Sequence, residues 1–101
     1  MTAAAPLRTL VIAELSANHG GDLERTRDTI RAMRDAGADA VKLQTYRPSS
    51  LTLDLSEGPF APLREGPWKG WRPYDLFEEG ALPYAWHEEL FALGRELGMT
   101  V

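Results

Sequence analysis

Cysteine is absent from the 101-residue sequence, and this absence excludes several kinds of chemistry at once. Without thiols the chain holds no disulfide, no thiolate metal site and no cysteine nucleophile. A cysteine-free chain is compatible with a reducing compartment. Residues 1–7 also lack the apolar core and cleavage signature of a secretory signal, so we expect a cytoplasmic protein.

Basic stretches and long apolar runs are missing too. The chain has 11 Lys and Arg against 15 Asp and Glu, for a formal net charge of -4, and its basic residues are scattered singly. Because nucleic-acid binding needs a basic patch or stripe, we expect no nucleic-acid partner. No apolar run approaches the roughly 20 residues that a membrane helix needs, so we expect no membrane association. The 44% hydrophobic content is ordinary for one globular domain.

The first half of the sequence predicts a strand, a helix and a second strand. The apolar run over residues 9–15 has the length of a strand, and Glu14 lies near its end. Asp22 is placed as the N-cap of an amphipathic helix over residues 23–36. Residues 41–46 form the second predicted strand.

Polar side chains inside the second strand indicate a polar cavity. Side chains alternate along a strand, so Lys42 and Gln44 share one face while Val41 and Leu43 share the other. Strands of a parallel sheet are normally apolar on both faces. Because the two strands of a βαβ unit are parallel, their carboxyl ends meet at one rim. We therefore expect Glu14 to converge with Lys42 and Gln44 at the rim where α/β barrels carry their active sites.

Residues 47–73 predict a long connection, because their many Pro and Gly residues forbid a long helix or a central strand. A connection of this length is usually functional or disordered. Phe60, Trp68 and Trp71 indicate partial order, since a disordered linker rarely carries such apolar mass. Residues 74–79 are predicted to form one or two helical turns.

The last segment predicts another helix and the start of a third strand. Apolar residues recur at helical spacing over residues 83–97, with His87 in a structural position on this helix, and residues 99–101 resemble the opening of a strand. Two such βα units leave open sheet edges and uncovered apolar faces. We therefore expect an α/β fold in which residues 1–101 form the N-terminal portion of a TIM (β/α)8 barrel.

Three ordered blocks of the sequence resemble the sialic acid synthase (nonulosonate synthase) family. They are IAELSANHGG at residues 12–21, AGADAVKLQTY at 36–46 and WHEELF at 86–91. The resemblance covers about residues 10–101, essentially the whole chain. Within the family, residues 66–70 and 74–79 are most similar to the pseudaminic acid synthases.

The resemblance implies a fold and a reaction. The fold is a TIM barrel followed by a small antifreeze-like domain, in homodimers, with the later strands and the small domain outside this chain. The reaction condenses phosphoenolpyruvate with an N-acetylated amino sugar, 2,4-diacetamido-2,4,6-trideoxy-L-altrose, to give pseudaminic acid and phosphate. The resemblance also implies a divalent metal, manganese or magnesium, held by histidines of later strands; no metal ligand is expected among the residues of this chain.

The sequence also leaves other functions open. The acceptor sugar could instead be that of an N-acetylneuraminate or legionaminate synthase. A different barrel that uses phosphoenolpyruvate, of the deoxyheptulosonate-phosphate type, is a more distant alternative. The chain could also be a non-catalytic binding or assembly module.

The resemblance implies catalytic roles for Glu14 and Lys42. Lys42 resembles the lysine that meets phosphoenolpyruvate, and an ammonium suits a phosphate or carboxylate. Gln44 resembles the neighbouring glutamine that orients the ligand. Glu14 resembles the first-strand glutamate that orients a hydroxyl or handles a proton. The structural alternatives are an ion pair of Lys42 with Glu14 or Asp39, and a satisfied core amide for Gln44.

Asn18 and Tyr46 are the further candidates for substrate binding. Tyr46 either lines the sugar pocket or packs under the long connection. His19 either contacts a ligand or fixes the glycine turn that follows it, and we do not expect it to bind metal. Trp68 and Trp71 either stack on a sugar or anchor the connection by hydrophobic contact.

Overall fold

Two parallel strands joined by a helix form the centre of the structure, a computed structural model that describes residues 7–101. The strands and helices are β1 (Ile12–Ser16), α1 (Leu23–Asp35), β2 (Ala40–Leu43), α2 (Pro73–Gly80) and α3 (His87–Glu96). Short 3-10 turns lie at Pro48–Ser50, Gly58–Phe60 and Tyr84–Trp86. The architecture is therefore mixed α/β with parallel strands, as the sequence predicts.

The register of the parallel pair follows directly from the βαβ connection. Ile12 lies opposite Ala40, and Glu14 lies opposite Lys42. Thr100 forms a parallel bridge to Ala40. This isolated bridge places residue 100 beside β2, where the sequence predicts the opening of a third strand.

The helix α1 confirms its predicted start and end. The Asp22 side chain accepts a hydrogen bond from the backbone N–H of Arg25 at 3.0 Å, which satisfies one of the free donors of the first turn. Thr26 and Ile30 form its buried stripe. Gly37 has a φ of 99°, a left-handed conformation that ends the helix. None of the helices within residues 7–101 combines the length and apolarity needed to cross a membrane.

Both strands are shorter than predicted. β1 begins at Ile12 rather than Thr9, and β2 ends at Leu43 rather than Tyr46. Beyond β2, the Thr45 hydroxyl bonds to a histidine of α3 and the Tyr46 hydroxyl bonds to a backbone carbonyl of α2. These contacts with the helices take the place of strand pairing after residue 43.

The core lies on one face of the two strands, where α1 and α3 pack against the sheet. Its buried members are Leu15, Ile30, Val41, Leu82, Leu90, Leu93 and Met99. The opposite face is open: Ile12 is 57% exposed, and Glu14 and Lys42 project on this side as well. Leu15 and Val41 therefore face the helices, whereas the charged side chains of Glu14 and Lys42 face away from them.

Arg72 holds the connection between β2 and α2. Its guanidinium forms two hydrogen bonds of 2.8 Å with the carboxylate of Asp75 and an ion pair of 2.9 Å with Asp54. It also donates to the Leu55 carbonyl at 3.1 Å and to the Ser56 hydroxyl at 3.2 Å. The hydrogen bond from Arg72 lowers the pKa of Asp75 below its usual range. A single forked cation thus joins residues 54–56, in the middle of the connection, to the first turn of α2.

Arg72→Lys is expected to loosen the connection, because an ammonium cannot reproduce the forked contacts of a guanidinium. Limited proteolysis should then cut residues 51–71 several-fold faster. Because the pKa of Asp75 is lowered in the folded state, its ionised carboxylate stabilises the folded connection at pH values above the usual carboxyl pKa. This stabilisation is lost as the pH falls through the lowered pKa of the folded state. Cleavage of the unmodified protein should therefore also rise at acidic pH. Arg64→Lys, an exposed arginine of the same connection, is the control, and equal cleavage of both variants would contradict this role.

Candidate functional site

Glu14 and Lys42 form an ion pair at the open face of the sheet. The Lys42 Nζ lies 3.1 Å from one carboxylate oxygen of Glu14, and the other oxygen accepts from the Ser16 N–H at 3.2 Å. The predicted closeness of the two residues is confirmed, and their contact is the ion pair with Glu14 that the sequence offers as the structural alternative for Lys42. Asp39, the alternative partner of Lys42, pairs with Arg8 instead. The Lys42 side chain is 67% exposed, and an ion pair this exposed contributes little stability.

A bulge ends β1 beside this pair. Leu15 has no partner in the register, and Ser16 lies opposite Leu43. Ser16 has a φ of 55°, a left-handed conformation that residues other than glycine rarely adopt. Such bulges re-aim side chains at strand ends. Here the Ser16 hydroxyl donates to the Gln44 amide oxygen at 3.2 Å, which leaves the two amide N–H donors of Gln44 for other partners.

A cleft of about 460 Å³ lies next to the bulge, between the strand ends, the long connection and α2. This volume falls within the range of small-molecule sites. The residues that line the cleft are Ser16, Ala17, Gly20, Gln44, Tyr46, Trp68, Leu76, Phe77, Glu79 and Gly80. Two of the predicted substrate-binding residues, Gln44 and Tyr46, are therefore in its wall.

Tyr46 lines the cleft and packs against α2, which is a different contact from the predicted packing under the long connection. Its hydroxyl donates to the Phe77 carbonyl at 3.0 Å, and the two rings meet edge to face. Partial burial raises the pKa of Tyr46. A Cβ at Gly80 would lie 3.0 Å from the Tyr46 oxygen and 3.3 Å from the Ala17 Cβ. The close packing of Tyr46 therefore needs a glycine at the end of α2.

His19 fixes the turn and is not exposed toward a ligand. It is 1% exposed, and its Nδ1 accepts from the Gly21 N–H at 2.9 Å. Its Nε2 therefore carries the proton and donates to the Gly80 carbonyl at 2.9 Å. The ring also meets Trp86 edge to face. Asn18, by contrast, is exposed and does not line the cleft.

The two tryptophans of the long connection differ in position. Trp68 lines the cleft and is 54% exposed, whereas Trp71 is 41% exposed and is not part of the cleft wall.

His87 bonds through one ring nitrogen to the Thr45 hydroxyl and through the other to the Tyr84 carbonyl. His87 therefore links α3 to the end of β2, which agrees with a structural role.

A comparison with protein families identifies most of this chain. The sequence model of the NeuB family matches residues 29–101, more than half of the chain. The chain belongs to the NeuB family. The resemblance carried by the three sequence blocks is thereby confirmed, although the matched region begins after the first of them.

Relatives of this NeuB-family chain include synthases of acidic sugars. It is 42% identical over 92 residues to the pseudaminic acid synthase of Campylobacter jejuni. This alignment covers 91% of the chain and 26% of that protein. The pseudaminic acid synthase of Helicobacter pylori is 42% identical over 91 residues, or 90% of the chain and 26% of that protein. An N,N'-diacetyllegionaminic acid synthase of Legionella pneumophila is 44% identical over 41 residues, or 41% of the chain and 12% of that protein. The chain thus spans about a quarter of the pseudaminic acid synthases that it matches.

The NeuB-family chain brings some predicted residues together and leaves one apart. Glu14 and Lys42 touch, Gln44 and Tyr46 line the adjoining cleft, and Asn18 lies outside it. The sequence did not mark Ser16, whose left-handed backbone has no sequence signal. It did mark a short helix over residues 74–79, and the observed α2 (Pro73–Gly80) supplies four residues of the cleft wall: Leu76, Phe77, Glu79 and Gly80.

Proposed function

We propose that this chain is the N-terminal part of a pseudaminic acid synthase-like enzyme with a TIM (β/α)8 barrel. The remaining strands and a C-terminal antifreeze-like domain would lie outside residues 1–101, and the whole protein would act as a homodimer in the cytoplasm. The parallel βαβ unit and the third-strand bridge at Thr100 support the barrel. So does the open apolar face around Ile12, which further strands would cover.

The proposed reaction joins phosphoenolpyruvate to 2,4-diacetamido-2,4,6-trideoxy-L-altrose. The C3 carbon of phosphoenolpyruvate attacks the aldehyde of the open-chain sugar, water adds at C2, and phosphate leaves by carbon–oxygen cleavage. The products are pseudaminic acid and phosphate. The observation that carries this proposal is the convergence of Glu14, Lys42 and Gln44 at the ends of two parallel strands beside a cleft of ligand size.

Lys42 is proposed to bind the phosphate or carboxylate of phosphoenolpyruvate. Its ammonium is mostly exposed and has one carboxylate neighbour, so it is accessible to an anionic ligand. Fixed charges aimed at a reacting anion are a large source of catalysis in a water-poor site. Gln44, held by Ser16 through its amide oxygen, is proposed to donate from its amide nitrogen to the same ligand.

Glu14 is proposed to orient a hydroxyl of the acceptor or to handle a proton. Its carboxylate is already held by two donors, Lys42 and the Ser16 N–H, so its position is defined before a ligand arrives. General acid–base groups need this kind of placement within hydrogen-bond reach.

A divalent metal, manganese or magnesium, belongs to the proposal, but residues 7–101 do not supply its site. No three His, Cys, Asp or Glu side chains in this range cluster to hold an ion, and both ring nitrogens of His19 already have hydrogen-bond partners. The ligands are expected in the later strands, as the family resemblance implies. When bound, such an ion polarises the aldehyde oxygen as a Lewis acid.

A legionaminate synthase is the second candidate, favoured by the 44% identity to the Legionella pneumophila protein over part of the chain. Incubating the full-length protein with phosphoenolpyruvate and each acetamido sugar, with phosphate release and product mass as readouts, separates the two. We expect the highest kcat/KM with the altrose derivative. Phosphate release with none of these sugars would reject a nonulosonate synthase.

Glu14→Gln is expected to lower kcat by roughly 10²-fold, because a positioned acid or base contributes at least this much. Glutamine keeps the shape and a hydrogen-bond acceptor, so the KM for phosphoenolpyruvate should change less than kcat. Steady-state kinetics of the full-length protein measures both. Glu57→Gln, an exposed glutamate of the long connection, is the control. Equal kcat for the two variants would remove Glu14 from the mechanism.

A further inference from the structure

Ser16 holds an unusual backbone conformation at the end of β1. Its φ of 55° lies in the left-handed region, and among residues 7–101 it is the only residue other than glycine with a positive φ. A residue with a Cβ adopts this conformation at a free-energy cost that glycine avoids. The loop that follows does carry glycine at its own left-handed positions, Gly20 and Gly21. The presence of serine at residue 16 therefore calls for a role of its side chain.

The two polar donors of Ser16 reach two different residues of the proposed site. Its backbone N–H donates to the Glu14 carboxylate at 3.2 Å, two residues earlier in β1. Its hydroxyl donates to the amide oxygen of Gln44 at 3.2 Å, just after the neighbouring strand. In the part of the chain that the structure describes, this hydroxyl is the only hydrogen-bond partner of the Gln44 side chain. Ser16 thus links the two strands between Glu14 and Gln44.

The bulge brings these contacts together. Leu15 is skipped in the parallel register, so that Ser16 lies opposite Leu43 and next to Gln44. Strained backbone of this kind persists only where surrounding contacts hold it, and it concentrates at functional sites. At Ser16 the holding contacts are made with the residues proposed to bind ligand and to handle a proton.

We propose, resting on the function proposed above, that Ser16 is a positioning residue that acts through Gln44. Its hydroxyl keeps the Gln44 amide in one place, with the amide N–H donors available to phosphoenolpyruvate. Gln44 is exposed, so without this hydroxyl its side chain would be held only by water and would sample several rotamers. Ordering such a side chain when the ligand binds costs conformational entropy, which weakens binding. Serine thus strains the backbone and pre-organises the ligand contact.

Ser16→Gly in the full-length protein tests the proposal, because it removes the hydroxyl and keeps the N–H that holds Glu14. We expect the KM for phosphoenolpyruvate to rise about 3- to 5-fold, the usual effect of losing one hydrogen bond, with kcat within about twofold. The thermal midpoint of unfolding should stay the same or rise, since glycine accepts a φ of 55°. Ser16→Ala should raise KM equally but unfold at a lower temperature than Ser16→Gly, because alanine keeps the strain. Ser49→Ala, at an exposed serine of the turn Pro48–Ser50, is the control and should change neither quantity.

A double variant shows whether Ser16 acts through Gln44. Gln44→Ala alone should raise the KM for phosphoenolpyruvate. In that background, Ser16→Gly should raise it by less than about 1.5-fold more, because the hydroxyl has no amide left to hold. A second, independent rise of about 3- to 5-fold in the Gln44→Ala background would overturn the proposal.

The outcomes separate the positioning role from the function on which it rests. If the unmodified protein turns over phosphoenolpyruvate with an acetamido sugar but Ser16→Gly leaves its KM unchanged, the positioning role is wrong and the function stands. A lower thermal midpoint of Ser16→Gly, with a fall in kcat and an unchanged KM, would make Ser16 a support of the fold alone and would also overturn the role. Absence of turnover with every acetamido sugar would overturn both.

Discussion

Lys42→Ala is expected to lower kcat/KM for phosphoenolpyruvate by roughly 10²- to 10³-fold, the usual cost of removing one fixed electrostatic contact to a reacting group. The loss should appear in both phosphoenolpyruvate binding and turnover, because the ammonium is proposed to hold the ligand before and during the attack. Since the side chain is 67% exposed, the free energy of unfolding should change by no more than about 0.5 kcal/mol. Steady-state kinetics and urea unfolding of the full-length protein measure the two quantities.

The sequence provides a matched control for this experiment. Its other lysine, Lys69, is exposed in the long connection and does not line the cleft. Lys69→Ala should leave kcat/KM within about twofold of the unmodified protein, since an exposed charge screened by solvent contributes little. Lys42→Arg keeps the charge but changes its geometry, and it should recover part of the activity. Unchanged turnover in Lys42→Ala would remove the proposed mechanism.

His19→Leu is expected to lower the free energy of local opening around the cleft by about 1–3 kcal/mol. Leucine removes the side-chain partner of the Gly21 N–H and of the Gly80 carbonyl, and each of these two part-buried hydrogen bonds contributes about 0.5–1.5 kcal/mol. Hydrogen exchange of the full-length protein, read in peptides that cover residues 17–22 and 77–82, measures this opening.

The second histidine of the chain is the comparison for this variant. His87 also bonds through both ring nitrogens, but it is only partly buried, so water replaces its partners at lower cost. His87→Leu should therefore speed exchange near α3 and leave residues 17–22 unchanged. If His19→Leu exchanges no faster than His87→Leu in residues 17–22, His19 does not tether the cleft.

Local rules predicted the elements that depend on a few neighbouring residues. The α1 helix begins at the Asp22 cap and ends before Gly37, because both signals act within one turn of the chain. The pairing of Glu14 with Lys42 followed from the parallel geometry of a βαβ unit, which sets where the strand ends meet. These parts of the fold and site were accessible from sequence alone.

Contacts between distant residues were not accessible in this way. β2 ends at Leu43, and beyond it Tyr46 bonds to Phe77, which is 31 residues away. Gly80 lets Tyr46 approach closely in the cleft wall, and no pattern near residue 80 signals that contact. Ser16 adopts a glycine-like backbone without being glycine. Tertiary packing, rather than local propensity, decides all of these features.

The division of the site between rigid strands and a long connection has an evolutionary consequence. Glu14 and Lys42 come from paired strands, whereas Trp68 comes from a segment that joins β2 to α2. Loops accept substitutions and insertions more readily than the elements that they connect. Under the proposed function, substitutions in the connection would change which sugar is accepted, while the Glu14–Lys42 pair on the strands would stay unaltered.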